Sequence, residues 1–225
     1  LLTLEFDGSA FFGCQRQPDR RTVQQVVEEA LGRLAGMPCT AIAAGRTDTG
    51  VHALAMLVST TMPEQWTAEA LLRALNAVLP RDVAVSEVRA IAPGRDARRA
   101  AESRRYRYDV GVDAASRSPF RGRTEWALGR RVDLAMLQRA ASVLEGEHEF
   151  LAFMVTGEPK PHYRCRIVEA AWSAPEAGRL RFIVAADRFL HHMVRMLVGT
   201  MVEIGQGRRP ESDMARLLTM THNAD

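Results

Sequence analysis

The sequence is almost without lysine: of its 30 basic residues 29 are arginine, and Lys160 stands alone. Neither GxxxxGK[ST] nor a GxGxxG set between a strand and a helix occurs, so nothing supports a nucleotide-phosphate cradle. Cysteine is also scarce. Cys14, Cys39 and Cys165 lie far apart, are odd in number and form no CxxC. That argues against a disulfide framework and for free thiols in a reducing compartment such as the cytoplasm. Apolar runs are broken by charge well before the roughly 20 residues a membrane span needs. No charged stretch followed by an apolar one opens the chain as a signal peptide would. HExxH, paired cysteines and GxSxG are all missing, which leaves zinc and serine-nucleophile chemistry unsupported. His191 and His192 fall on a predicted helix about 100° apart, a poor arrangement for one metal.

What is present is an ordinary globular composition. Of 225 residues, 47% are hydrophobic and 25% charged, enough for one large domain or two small ones with a real core. The net charge is only +3, but the arginines cluster. "GRDARRAAESRRYRYDV", residues 94–110, holds six Arg and two Tyr. The bland reading of the preference over lysine is genomic base composition. Arginine is nonetheless the better residue for bidentate phosphate contact and for stacking on bases. The segment fits a nucleic-acid surface and equally a solvated face pairing with Asp96, Glu102 and Asp109.

Hydrophobic periodicity organises the chain. "LLTLEFD" alternates as a strand and is followed by a Gly-, Gln- and Arg-rich loop over 8–21. Residues 22–36 read as a helix with Thr22 as N-cap, Gln25 completing a capping box and Gly36 at the end. "CTAIAAG" and "HALAMLVSTT" are strands on either side of a turn. Residues 67–78 are a helix and "DVAVSEVRAI" a strand. The pattern then repeats with "RRYRYDVGV", a helix over 133–144, "RCRIVEAAWSA", "RLRFIVAAD", an apolar helix over 189–205 and a short one in "ESDMARLLT". The expected fold is α+β: two ferredoxin-like halves, 1–93 and 94–225, sharing one mainly antiparallel sheet.

The turn itself is "GRTDTGVHA", residues 45–53. Taken locally, Asp48 between threonines and glycines is an Asx-turn residue bonding its own backbone. Taken in context, a turn leaving one apolar strand and entering another, with Gly45 and Gly50 permitting sharp bends, holds a carboxylate rigidly at a sheet edge. Arg46 stands close enough to keep Asp48 ionised or to bind a phosphate.

"AAGRTDTGVHALA" resembles the catalytic motif of the TruA family of tRNA pseudouridine synthases. "LEFDGSAFFGCQRQ", "DARRAAESRRYRY" and "DRFLHHMVRMLVGTMVEIGQG" resemble further stretches of that family, in order, over nearly the whole chain. The resemblance implies an isomerase that breaks the N1–C1′ bond of a uridine in RNA, turns the uracil and rejoins it through C5, with no metal, redox or nucleotide cofactor. It implies Asp48 as the catalytic carboxylate and Tyr106 stacking on the flipped base. It also implies Arg195 pairing with Asp48, since an arginine among apolar helix residues is costly to bury alone. Arg46, Arg98, Gln15 and Gln17 are implied as RNA contacts. His52 and Thr47 are read as holding the turn, and His191 and His192 as lining the RNA path or capping the core. The resemblance further implies a homodimer holding tRNA in a basic cleft between the halves, and uridines 38, 39 and 40 of the anticodon stem-loop as targets. The chain departs from the family at Cys14, where Trp is usual, at Arg95–Asp96, Arg99 and Met154, and at "THNAD", where a GLYL-like strand is expected. A non-catalytic RNA-binding protein on the same scaffold is the rival reading, which needs the arginines but not Asp48.

Overall fold

Alternation in "LTLEF" buries Leu2, Leu4 and Phe6 on one side of β1 (Leu2–Phe6) and leaves Glu5 exposed. That apolar side is covered by two helices whose starts are written in the sequence. α1 (Val23–Ala35) begins where Thr22 Oγ1 accepts the Gln25 N–H at 3.4 Å, and ends at Gly36 in the left-handed region (φ 70°). The capping box is only half formed, because the Gln25 side chain donates to Glu29, one turn on. α2 (Ala68–Val78) begins where Thr67 Oγ1 accepts the Ala70 N–H at 3.2 Å.

The computed structural model describes residues 1–155 and 162–220 and divides the chain into two compact units, Leu1–Ala101 and Glu102–Asp225. The closing "THNAD" and Lys160 lie outside the described residues. In the first unit, β1 is joined by β2 (Ile42–Ala43), β3 (Ala53–Ser59) and β4 (Val83–Val88) in the antiparallel order β2-β3-β1-β4. Its core packs Leu2, Leu4, Phe6, Val83 and Val85 against Val23, Val27, Leu31, Leu71 and Leu75. A four-residue helix, α3 (Ala97–Ala100), closes the unit.

The second unit is built on β5 (Arg104–Gly111), β6 (Trp126–Ala127), β7 (Gly146–Glu149), β8 (Arg164–Glu176) and β9 (Arg179–Ala186), in the order β6-β5-β9-β8-β7. Among the described residues only the short β5–β6 pairing is parallel. α4 (Leu134–Ser142), capped by Asp133, α5 (Met193–Gly205) and α6 (Asp213–Leu218) supply apolar faces to a core in which Trp172 stacks on Phe182 with ring centroids 5.1 Å apart.

The fold is therefore mixed α+β, as the pattern implied, with three corrections. Among the described residues the strands form two sheets, of four and five strands, and not one shared sheet. Side-chain alternation identifies strands and their apolar faces. It does not determine which edges join, because edge pairing uses main-chain groups that every residue carries. The apolar helix expected over 189–205 starts four residues late, at Met193, because His192 takes a left-handed backbone (φ 61°) that no α-helix can continue through. His191 and His192 thus lie ahead of the helix, and their rings face one another with centroids 4.0 Å apart, not splayed 100° apart along it. Lastly, "CTAIAAG" contributes only two residues to a ladder.

Candidate active site

The chain leaves β2, turns through Gly45–His52 and enters β3. The turn's base is tied where the Ala44 N–H donates to the Leu57 carbonyl at 2.8 Å, and its tip where the Val51 N–H donates to the Asp48 carbonyl at 3.1 Å. Gly50, at φ 79°, takes the left-handed conformation this reversal requires. Asp48 is half-buried between buried Thr47 and exposed Thr49.

The opening loop grips this turn on both sides of Asp48. The Cys14 N–H donates to the Thr47 carbonyl at 3.0 Å. The Gly8 N–H donates to His52 Nδ1 at 3.2 Å. Two glycines make the approach possible. A Cβ on Gly13 would stand 2.9 Å from the Thr47 carbonyl oxygen, and one on Gly8 only 2.0 Å from that of Val51. His52 Nδ1 also lies 3.1 Å from an Asp7 carboxylate oxygen. One ring nitrogen serves one partner at a time, so the Gly8 N–H and the Asp7 carboxylate compete for it. Sequence reasoning missed Gly8 and Gly13. The only signal was their presence in "DGSAFFG", with nothing to say what they approach.

Cys14 is buried beside this turn. Burial pushes its thiol above the ordinary range, opposed more weakly by the Thr47 hydrogen bond and the positive charge of Arg46. A thiol so held is protonated at neutral pH, which suits packing and not nucleophilic attack. Thr47 is buried too, and its hydroxyl has no hydrogen-bond partner among the described residues.

Of the residues expected at RNA, Arg46, Gln15, Gln17 and Arg98 are all exposed. Gln17 bonds within its own loop, its amide donating to the Phe12 carbonyl at 2.6 Å. Arg98 rides on α3, which is anchored by the Ala97 N–H on Ser59 Oγ at 3.0 Å and capped by Asp96. The loop's end is fixed by Arg21, which lies over the Phe11 ring (4.0 Å to its centroid) and forks onto Asp82 at 2.7 and 2.9 Å.

In the second unit, Tyr106 and Tyr108 share one face of β5, half-buried against the core, while Arg105 and Arg107 are exposed. Tyr106 meets Phe189 edge-on, with centroids 5.0 Å apart. Burial pushes the Tyr108 phenol up, and the nearby positive charge of Arg195 opposes that shift. Arg195 itself is exposed on the first turn of α5. Burial therefore does not oblige Arg195 to find a partner, contrary to expectation. Its apolar sequence neighbours Met193, Leu197 and Val198 point into the core and Arg195 does not.

The chain matches the family described as tRNA pseudouridine synthase over residues 3–93 and 140–225. It is 38% identical to tRNA pseudouridine synthase A of Myxococcus xanthus over 217 residues, 96% of this chain and 82% of that protein. It is 41% identical to tRNA pseudouridine synthase A of Moorella thermoacetica over 209 residues, 92% of this chain and 84% of that protein. The same enzyme of Limosilactobacillus fermentum is 38% identical over 221 residues, 96% of this chain and 85% of its own length. By family match and by these relatives alike, the chain belongs to the TruA family of tRNA pseudouridine synthases, isomerases that convert uridine to pseudouridine.

Proposed function

We propose that this chain isomerises uridines 38, 39 and 40 of the tRNA anticodon stem-loop to pseudouridine, with Asp48 as the reacting carboxylate. The observation that carries the assignment is the brace around Asp48. Hydrogen bonds and close glycine approaches at Thr47, Val51 and His52 hold its backbone on both flanks. A group so fixed spends no free energy on finding its geometry when the substrate arrives. The reaction conserves every atom. The N1–C1′ bond breaks, the uracil turns, C5 joins C1′, C5 gives up its proton and N1 takes one. It needs an ionised carboxylate at the target nucleotide and a base out of its stack, and it calls for no electron acceptor.

In this reading Tyr106 stacks on the flipped uracil and Arg195 pairs with Asp48. Arg46, Arg98, Gln15 and Gln17 contact RNA, the four being exposed as such a role requires. Both units are ferredoxin-like, with a basic cleft between them that takes the tRNA. The first runs β1–α1–β2–β3–α2–β4 with sheet order β2-β3-β1-β4, and in the second β5, β9 and β8 repeat the places of β1, β3 and β2. The protein works in the cytoplasm as a homodimer. No helix among the described residues is long and apolar enough to cross a membrane.

The test is pseudouridine formation on unmodified tRNA transcripts, mapped by chemical labelling and primer extension, for the parent and Asp48→Asn. The parent is expected to modify positions 38–40. The variant is expected to give no product while binding tRNA within a few-fold of the parent. Product from the variant sinks the assignment of Asp48. Binding without product from the parent favours an RNA-binding role.

A further inference from the structure

The segment between β5 and α4, residues 112–131, has no part in the proposed reaction. It is "VDAASRSPFRGRTEWALGRR", and Phe120 at its tip is 91% exposed. A phenyl ring this exposed is unusual, and here it is not a floppy side chain on a floppy loop. Asp113 caps a short 3-10 turn (Ala114–Arg117) by accepting the Ser116 N–H at 3.0 Å. The Arg121 and Gly122 N–H groups both donate to the Ser118 carbonyl at 3.0 Å, closing a turn directly around Pro119–Phe120. Below it, the Glu125 side chain is 1% exposed, with Arg121 Nε 2.6 Å and Arg179 Nε 2.7 Å from its carboxylate oxygens. Arg121 also reaches Asp113 at 3.2 Å. Gly178 comes so close to Asp113 that a Cβ there would stand 2.0 Å from its carboxylate.

The charges are sorted. Both acids of the segment, Asp113 and Glu125, are engaged inward by Arg121 and Arg179. Arg117, Arg130 and Arg131 are exposed and form no ion pair among the described residues. Arg117 lies against the turn that presents Arg130, since a Cβ on Gly129 would be 3.8 Å from its Nε. The segment therefore offers solvent a preorganised aromatic ring and a group of unneutralised guanidinium forks.

We propose that this tip is an RNA-binding element: one base stacks on Phe120, and neighbouring phosphates are met by Arg117, Arg130 and Arg131. A ring beside guanidinium groups matches a polynucleotide, which offers flat π-faces and regularly spaced anions, better than it matches an apolar protein surface or a neutral ligand. The inference rests on the reading that the substrate is RNA. It adds a point of attachment beyond the nucleotide that reacts.

The test uses the full chain and unmodified tRNA transcript, with three variants: Phe120→Ala, Phe120→Trp and Arg117→Ala/Arg130→Ala. Product from the parent establishes that the enzyme reading holds before the variants are compared. Phe120→Ala is expected to raise the tRNA Kd and the KM about ten-fold, the usual cost of losing one base–aromatic stack, with kcat and Tm unchanged. The double arginine variant is expected to flatten the slope of log K against log salt by about 2, one for each phosphate that is no longer met. Phe120→Trp is expected to retain affinity and to show a tRNA-quenched emission larger than that of the parent, whose own tryptophans are Trp66, Trp126 and Trp172. Unchanged Kd, KM and salt slope in an active, folded background overturn the proposal. So does a loss of self-association in Phe120→Ala at unchanged monomer affinity for tRNA, which makes the tip a contact between copies.

Discussion

The Asp48 turn and the Phe120 tip both present one side chain on a rigid loop, and they are made rigid by opposite means. Around Asp48 the bracing is mainly main chain against main chain: Cys14 on Thr47, and Gly8 and Gly13 pressed against carbonyls of the turn, with the His52 ring accepting from Gly8. Around Phe120 it is side-chain charge, with Glu125 buried between Arg121 and Arg179 and Arg121 shared with Asp113. The difference teaches what each loop can tolerate. Contacts of backbone on backbone carry no net charge and are little screened by salt, but they fail at the first extra methyl group. A buried carboxylate between guanidinium groups accepts small shape changes and fails when the charge is removed.

The largest effect is expected from removing that charge. Glu125→Ala leaves Arg121 and Arg179 facing one another without their common partner. Breaking a buried pair costs about 3–5 kcal/mol. The lower end, about 3 kcal/mol, applies because each arginine side chain retains about a fifth of its exposure. Urea denaturation of the full chain followed at Trp172 and Trp126 measures this. A loss under about 1 kcal/mol would break the comparison, since the tip would then be held by its backbone turns as the Asp48 loop is.

Gly8→Ala tests the other brace. Its Cβ would fall 2.0 Å from the Val51 carbonyl oxygen, and backbone cannot swing aside as a side-chain tip does. Overpacking of this kind costs about 1–3 kcal/mol in stability. The sharper readout is turnover, expected to fall about 100-fold through displacement of Asp48, with tRNA affinity nearly kept. Wild-type single-turnover rates in Gly8→Ala would mean that the loop only packs against the turn and does not position the carboxylate.

The same contrast explains what could be read from the sequence. Thr22, Thr67 and Asp133 announce their helices because a cap lies within three residues of the N–H it satisfies. The Asp48 turn is legible for the same local reason, its glycines and threonines lying side by side. The brace is not, because Gly8 acts on Val51 across 43 positions, and a glycine has no side chain to leave a pattern. The late start of α5 is decided by the backbone of His192 alone, in a run whose residues all suit a helix. β7 escapes notice because "GEHE" neither alternates nor is apolar, and its edge position needs no apolar face. Arg195 is misjudged when adjacency in sequence is taken for adjacency on a helix, where neighbours stand about 100° apart.

The smallest expected effect belongs to an ion pair of the first unit, at the anchored end of its opening loop. Arg21 hydrogen-bonds Asp82 and thereby holds that carboxyl below its usual range. The folded pKa is depressed, so the stabilisation is complete above the unfolded value near 3.8 and is lost as pH falls through the lower folded value. Because the two side chains keep 38% and 27% of their exposure, solvent screening limits the pair to about 1 kcal/mol or less. Denaturation of the parent and of Asp82→Asn should therefore differ by a small, constant amount from pH 7 down to about 5, and the difference should shrink below about pH 4. High salt should shrink it too. The turnover of Asp82→Asn should match the parent throughout, because the hydrogen bonds at Gly8 and Cys14 that hold the Asp48 turn do not use the Asp82 side chain, which is engaged by Arg21. A large activity loss in Asp82→Asn would mean that the loop's anchored end, and not its glycines, sets the position of the carboxylate.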